Sequence, residues 1–385
     1  TFDWTRVAVV GIEPSTPPIV SGVTELRETL TNTSTTGSEV EVTYRLTANS
    51  GGCSKTSELT VKVKPLPSSA GAFTGTPLTT VCAGSVDQVY SIASIQNATS
   101  YQWTVPRGAV ITTGLTSNSI KVTFSSNAES GNITVRGVNS CGLGVASVLP
   151  ITVLAPPVLS SSLTASVCSG MPINYQGTSS DSNTVLKWGR RPFTGITPAP
   201  PSTLSTNGNI DETLVNSTSA PIEVIYDYTL TLNGCSNTQS VRVTVNPTPK
   251  LSSSLTPTAI CSGATFSYIP GFTISGTTFS WTRGTQTGIS ELSNSGNASI
   301  SEILTNTTNA SVGVDYVLNL TSPSGCTSTE TVRVNVNPLP SAAGAITGDK
   351  IVCSGSQKPY SITAITNATS YRWTLPNGTV TNTDS

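Results

Sequence analysis

The strongest constraint in this sequence is a fixed spacing between cysteine and tryptophan. In four places a tryptophan follows a cysteine after 21 (103 − 82), 20 (188 − 168), 20 (281 − 261) and 20 (373 − 353) residues. The first cysteines of these places recur at intervals of 86 (168 − 82), 93 (261 − 168) and 92 (353 − 261) residues. Each of the other four cysteines is the second cysteine of a unit, and Trp4 stands where Trp281 stands, so all 8 cysteines and all 5 tryptophans belong to the pattern; the second cysteines are Cys53, Cys141, Cys235 and Cys326. A fixed period of this kind predicts an array of repeats.

Five copies of the unit cover the chain, and we call them repeats one to five. The first copy lacks its start and the fifth stops after its tryptophan strand. We assign the repeats to residues 1–65, 66–154, 155–247, 248–338 and 339–385. No signal peptide opens the chain and Thr1 falls inside a repeat, so we expect a segment of a longer protein.

The sequence between the cysteines predicts short β-strands. In repeat four the segments 265–269, 278–281, 312–320 and 331–336 alternate apolar and polar residues, and Gly, Ser and Asn separate them. A unit of about 100 residues with this pattern fits a seven-stranded immunoglobulin-like sandwich. Proline-containing joins follow each last strand, and they favour stiff, extended connections. We therefore predict an all-β chain of tandem immunoglobulin-like sandwiches stacked into an extended rod.

The five tryptophans are predicted to anchor the cores of these sandwiches. Each lies on an early strand whose neighbours alternate as a buried strand should, which favours core packing over ligand stacking. The predicted core anchors are Trp4, Trp103, Trp188, Trp281 and Trp373.

Two kinds of repeat can be distinguished. Repeats two and five, which we call A-type, carry Tyr-x-Trp-Thr at 101–104 and 371–374. Repeats one, three and four, which we call B-type, carry Glu-x-Leu-x-Asn before their penultimate long strand, at 28–32, 212–216 and 302–306.

Composition excludes several classes of function. Charged residues make up 10% of the chain, with 19 basic and 20 acidic residues and a net charge of −1, so we expect no nucleic-acid binding. No apolar run is long enough to span a bilayer, so we expect no membrane insertion. Histidine is absent, which removes the commonest general base and metal ligand. We predict no catalytic residues, no cofactor and no enzymatic activity.

Three weak candidate sites remain in the sequence. The adjacent carboxylates Asp211 and Glu212 fall on opposite faces of a strand, which disfavours glycoside hydrolysis. Acidic residues are scattered, so calcium between domains is kept only as an alternative. The segment 187–193 is the densest basic and aromatic cluster, which an exposed strand end explains better than an acidic glycan ligand does.

The cysteines are never spaced as Cys-x-x-Cys, so structural disulfides in an oxidising compartment are favoured over zinc. The predicted disulfide residues are Cys53, Cys82, Cys141, Cys168, Cys235, Cys261, Cys326 and Cys353. Pairing within repeats would give Cys82–Cys141, Cys168–Cys235 and Cys261–Cys326.

Pairing between neighbouring repeats is the scheme we favour. In an immunoglobulin-like sandwich, the turns that carry the two cysteines lie at opposite ends, roughly 20 Å apart, whereas a disulfide needs Cα atoms within ~7 Å. Bonds between neighbours would be Cys82–Cys235 and Cys168–Cys326. Cys53 and Cys141 would then pair with residues before Thr1, and Cys261 and Cys353 with residues after Ser385.

The motifs resemble those of PKD-like domains in secreted Bacteroidetes proteins. One form is Val81-Cys82-Ala-Gly84 with Tyr101-Gln-Trp103-Thr-Val-Pro106 and Asn139-Ser-Cys141-Gly142; a second form has Ile260-Cys261-Ser-Gly263 and Ser280-Trp281-Thr-Arg283. This resemblance implies PKD-like, immunoglobulin-like domains in giant surface adhesins that are linked to gliding motility and exported by the type IX system. The Asp-rich segment of ordinary PKD domains is missing here, and Trp103-Thr-Val-Pro-Arg-Gly108 stands in its place.

From these observations we expect a non-catalytic, extracellular segment of a cell-surface fibre or adhesin stalk that holds a distal tip away from the cell. Two alternatives stay open: the repeats themselves bind glycan or a partner cell surface, or they form an accessory array of a secreted hydrolase. The expected partners are neighbouring domains of the same chain. Lateral homo-oligomerisation within a fibre stays open as well.

Overall fold

All regular structure in this computed structural model is β-strand. The structure describes residues 1–375 and 380–384, and within them no helix occurs. Accordingly, those residues contain no helix that is long and apolar enough to cross a membrane. The prediction of tandem all-β immunoglobulin-like domains is confirmed.

The chain forms two compact units. The first comprises Thr1–Val158, Ser179–Val185 and Thr229–Thr238. The second comprises Leu159–Thr178, Leu186–Tyr228 and Gln239–Ser385. Repeats one and two therefore lie in the first unit, together with three short stretches of repeat three, namely 155–158, 179–185 and 229–238. The predicted boundaries of the five repeats remain an interpretation of the sequence.

Repeat one contains six strands in two sheets. Its strands are β1 (Phe2–Arg6), β2 (Ile12–Glu13), β3 (Val20–Ser21), β4 (Thr31–Asn32), β5 (Val40–Ser50) and β6 (Cys53–Val63). One sheet has the order β3-β1-β5-β6, and β2 pairs with β4 in the other. The core is small, with Ile12, Val42 and Tyr44 as its buried residues.

Repeat two contains a three-stranded and a five-stranded sheet. Its strands are β7 (Thr80–Cys82), β8 (Gln88–Ser91), β9 (Ser100–Thr104), β10 (Ala109–Thr113), β11 (Ser119–Phe124), β12 (Gly131–Asn139), β13 (Gly142–Leu143) and β14 (Ser147–Leu154). The sheets have the orders β10-β11-β8 and β13-β12-β14-β7, and β9 also pairs with β12. Alternate residues of the two sheets, among them Val122, Phe124, Ile133 and Val135, are fully buried between them.

Repeat three has one large sheet and two small ones. Its strands are β15 (Thr164–Cys168), β16 (Tyr175–Gln176), β17 (Val185–Arg190), β18 (Ile196–Thr197), β19 (Asn209–Ile210), β20 (Val215–Asn216), β21 (Ile222–Leu232) and β22 (Cys235–Asn246). The large sheet has the order β15-β22-β21-β17, while β16 pairs with β19 and β18 with β20.

Repeat four is the most regular sandwich. Its strands are β23 (Ile260–Cys261), β24 (Ala264–Tyr268), β25 (Thr278–Arg283), β26 (Asn294–Gly296), β27 (Ile300–Leu304), β28 (Val312–Thr321) and β29 (Thr327–Asn337). Five of them form the sheet β23-β29-β28-β25-β26, and β24 pairs with β27. On β28 the residues Val314, Tyr316, Leu318 and Leu320 are fully buried, as the alternation of the sequence predicts.

Repeat five shows two described strands. They are β30 (Ser370–Thr374) and β31 (Val380–Asp384), which pair antiparallel. Much of its preceding chain is exposed, including Ile351 and Tyr360.

A parallel edge strand determines where the first cysteine of a repeat lies. In repeat four β23 pairs in parallel with the end of β29, and Cys261 lies opposite Asn337. Cys326 directly precedes the start of β29, which is 11 residues long. At ~3.3 Å per residue the two cysteines of this repeat are therefore roughly 35 Å apart. The same parallel pairing places Cys82 opposite Leu154 and Cys168 opposite Asn246.

Candidate functional site

Two disulfides join cysteines of successive repeats. Cys82 of repeat two bonds to Cys235 of repeat three, and Cys168 of repeat three bonds to Cys326 of repeat four. The Cα atoms are 5.6 Å apart in both bonds, within the usual range. These are the bonds of the between-neighbour scheme. The within-repeat scheme is wrong, because the parallel edge strand places the two cysteines of a repeat at opposite ends of its last strand.

Tight turns present both kinds of cysteine. Cys235 follows the two-residue turn Asn233-Gly234, where φ is 49° and 81°, as a type I′ hairpin turn requires. Each first cysteine is followed two residues later by a glycine in the left-handed region, as at Gly84 and Gly170, where φ is 90° and 79°. The amide of Ser85 donates to the Cys82 carbonyl at 3.0 Å and closes that turn. The second cysteines Cys235 and Cys326 are only 1% exposed.

Four cysteines form no bond within the described residues. Cys53, Cys141, Cys261 and Cys353 are free, and all four are exposed. Gly263 and Gly355 have the φ of Gly170, so Cys261 and Cys353 occupy the same kind of turn as the bonded first cysteines. That these four cysteines pair with residues outside the chain stays a prediction.

Each B-type repeat encloses a buried arginine–glutamate–tyrosine network. In repeat four the Arg283 guanidinium donates to the Glu302 carboxylate at 3.0 and 3.2 Å, and the Tyr316 hydroxyl donates to it at 2.6 Å. Arg283 also donates to the carbonyl oxygen of Leu292 at 2.6 Å. The side chains of Arg283 and Glu302 are 2% and 8% exposed, so this ion pair is shielded from water.

The same three residue types recur in the other B-type repeats. In repeat three Arg190 and Tyr226 both donate to Glu212. In repeat one Arg6 and Tyr44 both donate to Glu28. The glutamate of the Glu-x-Leu-x-Asn motif is thus the acceptor at the centre of each network. Sequence reasoning missed the arginines, although Trp-x-Arg at 4–6, 188–190 and 281–283 is a signal that A-type repeats lack.

The networks shift the pKa values of their members. Hydrogen bonds from the Arg6 guanidinium lower the pKa of Glu28. Burial alone would raise the pKa of Glu302, but hydrogen bonds from Arg283, Tyr316 and Asn294 outweigh it and lower the pKa. Burial, with the hydrogen bond to Glu28, raises the pKa of Tyr44 to about 12. In repeats one and four the network therefore keeps the glutamate charged and the tyrosine neutral over a wide pH range.

The asparagine of the same motif ties the motif to the last strand. Asn306 donates to the carbonyl oxygens of Ala310 and Val336, at 2.7 Å each. Asn216 does the same with Ala220 and Val245 in repeat three. These amides are buried and link the segment before the penultimate strand to the end of the sheet. The motif is therefore structural at both of its polar positions.

Three of the five predicted core tryptophans are buried. Trp103, Trp188 and Trp281 are 5–6% exposed, and each indole nitrogen donates to a backbone carbonyl, at 2.8 or 2.9 Å. Trp4 and Trp373 are half-buried. A groove of about 670 Å³ adjoins Trp4, Leu30 and Val61.

The basic cluster at 187–193 is not a free cationic surface. Arg190 is buried against Glu212, and Arg191 pairs with Asp227 at 2.7 Å. Within this cluster Lys187 is exposed, and it forms no ion pair with a described residue. The alternative of an acidic-glycan site at this cluster is therefore not supported by its geometry.

The described residues contain no metal-binding cluster. Nowhere in 1–375 or 380–384 do three or more Cys, Asp or Glu side chains come close enough to hold a metal ion. Asp211 is exposed, whereas Glu212 points to Arg190 and Tyr226, so the two adjacent carboxylates do not act together.

The folds and the joining disulfides define a tandem array of immunoglobulin-like sandwiches. One family model, described as PKD-like domain, matches residues 66–151 and 339–385. A second model with the same description matches residues 165–249 and 258–340. These four segments make up most of the chain, which therefore belongs to the PKD-like domain proteins. The two models separate repeats two and five from repeats three and four, as the two sequence types predict.

Several solved structures are similar at low identity. The eight N-terminal Ig domains of Down syndrome cell adhesion molecule share 13% identity over 97% of this chain and 55% of theirs, with a TM-score of 0.27. The titin I-band fragment I67–I69 shares 11% identity over 71% of this chain and 96% of its own, with a TM-score of 0.30.

Mouse cadherin-23 EC22–24 shares 12% identity over 69% of this chain and 97% of its own, with a TM-score of 0.26. This chain spans about half the length of the cell adhesion molecule fragment. TM-scores this low carry no functional argument. No curated protein matches the chain.

Proposed function

We propose that this chain is a non-catalytic, force-transmitting segment of an extracellular fibre or adhesin stalk on a bacterial cell. The observation that supports this most is the pairing of cysteines between repeats. A bond inside a sandwich stabilises that sandwich alone, whereas a bond to the next repeat also fastens the joint. Fastened joints suit a chain whose task is to transmit tension from one end to the other.

The proposed location follows from the same bonds and from the family. Disulfides persist in oxidising compartments outside the cytoplasm. The resemblance to PKD-like domains of secreted Bacteroidetes proteins supports placement on the cell surface, export by the type IX system, and a role in adhesion, gliding or cell–cell contact. In this proposal the adhesive tip belongs to another part of the fibre.

Labelling of intact cells tests the location within the fibre. Gold-conjugated antibodies raised against this segment are expected to mark cell-surface filaments along their shaft, as seen by electron microscopy. Label confined to filament tips, or to the cell interior, would contradict a stalk. A strain that lacks the gene provides the control for antibody specificity.

Assays on the purified segment test the two alternatives. We expect no binding on glycan arrays and no hydrolysis of polysaccharides. Specific and saturable binding of one glycan would instead assign a receptor role to the repeats. Turnover of any substrate by the segment would refute the non-catalytic role.

A further inference from the structure

The two disulfides close overlapping loops. Cys82–Cys235 spans 153 residues and Cys168–Cys326 spans 158 residues. Cys168 lies between Cys82 and Cys235 in the sequence, and Cys235 lies between Cys168 and Cys326, so neither loop contains the other. Two loops that overlap in this way connect the chain differently from loops that are separate or nested.

Overlap creates three parallel covalent connections between the two disulfides. We call these connections the first, middle and last stretch; they are residues 82–168, 168–235 and 235–326. Each stretch begins at one disulfide and ends at the other. Their lengths are 86 (168 − 82), 67 (235 − 168) and 91 (326 − 235) residues.

We propose that residues 82–326 form a triply connected tether in which the middle stretch carries the tension. Force enters at Cys82 and leaves at Cys326, and the shortest of three parallel connections becomes taut first. At ~3.5 Å per residue the middle stretch reaches roughly 230 Å when fully extended. The first and last stretches then still have 19 (86 − 67) and 24 (91 − 67) residues of slack.

The same topology makes the tether tolerant of backbone cleavage. The join at 154–157 lies in the first stretch and the join at 246–249 lies in the last stretch. Ala155 in the first join and Lys250, directly after the second join, are exposed, and exposed segments between domains are preferred sites of proteolysis. Cleavage at either join leaves two connections, and cleavage at both leaves the middle one. A stalk outside the cell would therefore keep its tip attached after such damage.

The inference deepens the proposed stalk role, since tension matters only to a tether. Its test, however, measures covalent connectivity alone. A failed connectivity test would contradict the triple connection but not the location on the fibre. Failed labelling of the fibre would contradict the location but not the triple connection.

Site-specific cleavage tests the three connections. A protease recognition site is placed at each of the two joins of the oxidised full chain, and both sites are cut. On a non-reducing gel we expect one species at the mass of the intact chain. With reductant we expect three fragments. Separation of fragments without reductant would overturn the proposal.

Two double variants serve as matched controls. In Cys82→Ser/Cys235→Ser the cut at 154–157 should release the N-terminal fragment, whereas the cut at 246–249 should release nothing. Cys168→Ser/Cys326→Ser should show the reverse behaviour. In each variant, one cut should release a fragment and the other should not. The cut that releases nothing is the control, because misfolding would affect both joins. Release at the same join in both variants would contradict the overlap.

Single-molecule stretching between Thr1 and Ser385 tests which stretch carries the tension. Reduction should add about 177 residues of extension (244 − 67), roughly 600 Å. Removing the Cys82–Cys235 bond should shift the tension to the first stretch and add roughly 65 Å, and removing the Cys168–Cys326 bond should add roughly 80 Å. If removing each bond instead increased the extension by the full loop length, 153 or 158 residues, the loops would be independent and the proposal would be overturned.

Discussion

The hydroxyl of Tyr316 donates a hydrogen bond of 2.6 Å to the carboxylate of Glu302, although 14 residues separate them in the sequence. The same carboxylate neutralises Arg283, which lies on a third strand. Three strands of repeat four are therefore linked through one buried acidic group. Equivalent bonds join Tyr226 to Glu212 in repeat three.

Neutralising Glu302 should strongly destabilise repeat four. Glu302→Gln leaves the buried Arg283 charge unpaired, for which we expect a loss of about 3–5 kcal/mol. Asp315→Asn is the matched control, because Asp315 pairs with Arg333 on the exposed face. An exposed pair of this kind contributes about 0–1 kcal/mol. Hydrogen exchange at the β28 amides measures both changes locally, and equal losses in the two variants would contradict the role of the network.

Acid should destabilise repeats one and four through Glu28 and Glu302. The folded-state pKa of Glu28 and of Glu302 lies below its unfolded value of about 4.3. Their contribution is therefore complete above that pH and is lost as the pH falls through the folded-state pKa. Glu302→Gln should flatten the pH dependence of exchange in repeat four below pH ~4.3 and leave that of repeat two unchanged. An unchanged slope in repeat four would exclude Glu302 as the titrating group.

Removing the Asn306 amide should loosen the end of the repeat-four sheet. Asn306→Ala deletes both of its donated bonds and leaves the buried carbonyl of Val336 without this partner. We expect a loss of about 1–3 kcal/mol. Asn309→Ala changes an exposed residue three positions away and should alter stability by less than about 0.5 kcal/mol. Amide exchange at the end of β29 distinguishes the two variants.

Breaking the Cys168–Cys326 bond should lower stability by about 4–5 kcal/mol, as chain entropy predicts for a loop of 158 residues. The variant is Cys168→Ser/Cys326→Ser, and its melting temperature is compared with that of the oxidised chain. Cys261→Ser removes an exposed free thiol and should leave the melting temperature unchanged. A reductant should lower the melting temperature of the wild type but not further destabilise a chain that lacks both bonds.

The strand content and the disulfide pairing were both predictable from spacing. Alternation marked the buried face of β28, and the distance between the two turns of a repeat disfavoured bonds such as Cys261–Cys326. The parallel edge strand that keeps Cys261 at the far end of β29 could not be predicted from the sequence, because parallel pairing joins residues about 75 positions apart. Alternation and turn residues describe neighbouring positions only and do not indicate such a distant pairing.

The buried networks show where the sequence reasoning failed. Lys187, Arg190 and Arg191 read as one basic cluster, yet the pleat separates them. The alternation that turns Trp188 inward also turns Arg190 inward, where it binds Glu212 from a distant part of the repeat. Spacing along one strand can indicate a buried charge, but its partner comes from the tertiary fold.

The bonding rule of the first and second cysteines has a consequence for how such genes change length. Cys82 belongs to an A-type repeat and Cys168 to a B-type repeat, yet each bonds to the second cysteine of the repeat that follows. The first cysteine thus comes from either type of repeat, and in both bonds the second cysteine belongs to a B-type repeat. Recombination that deletes repeat three, or inserts another B-type repeat between repeats two and four, therefore brings together only repeat types that already bond in this order. Variants of different length can arise by single recombination events and still close every joint.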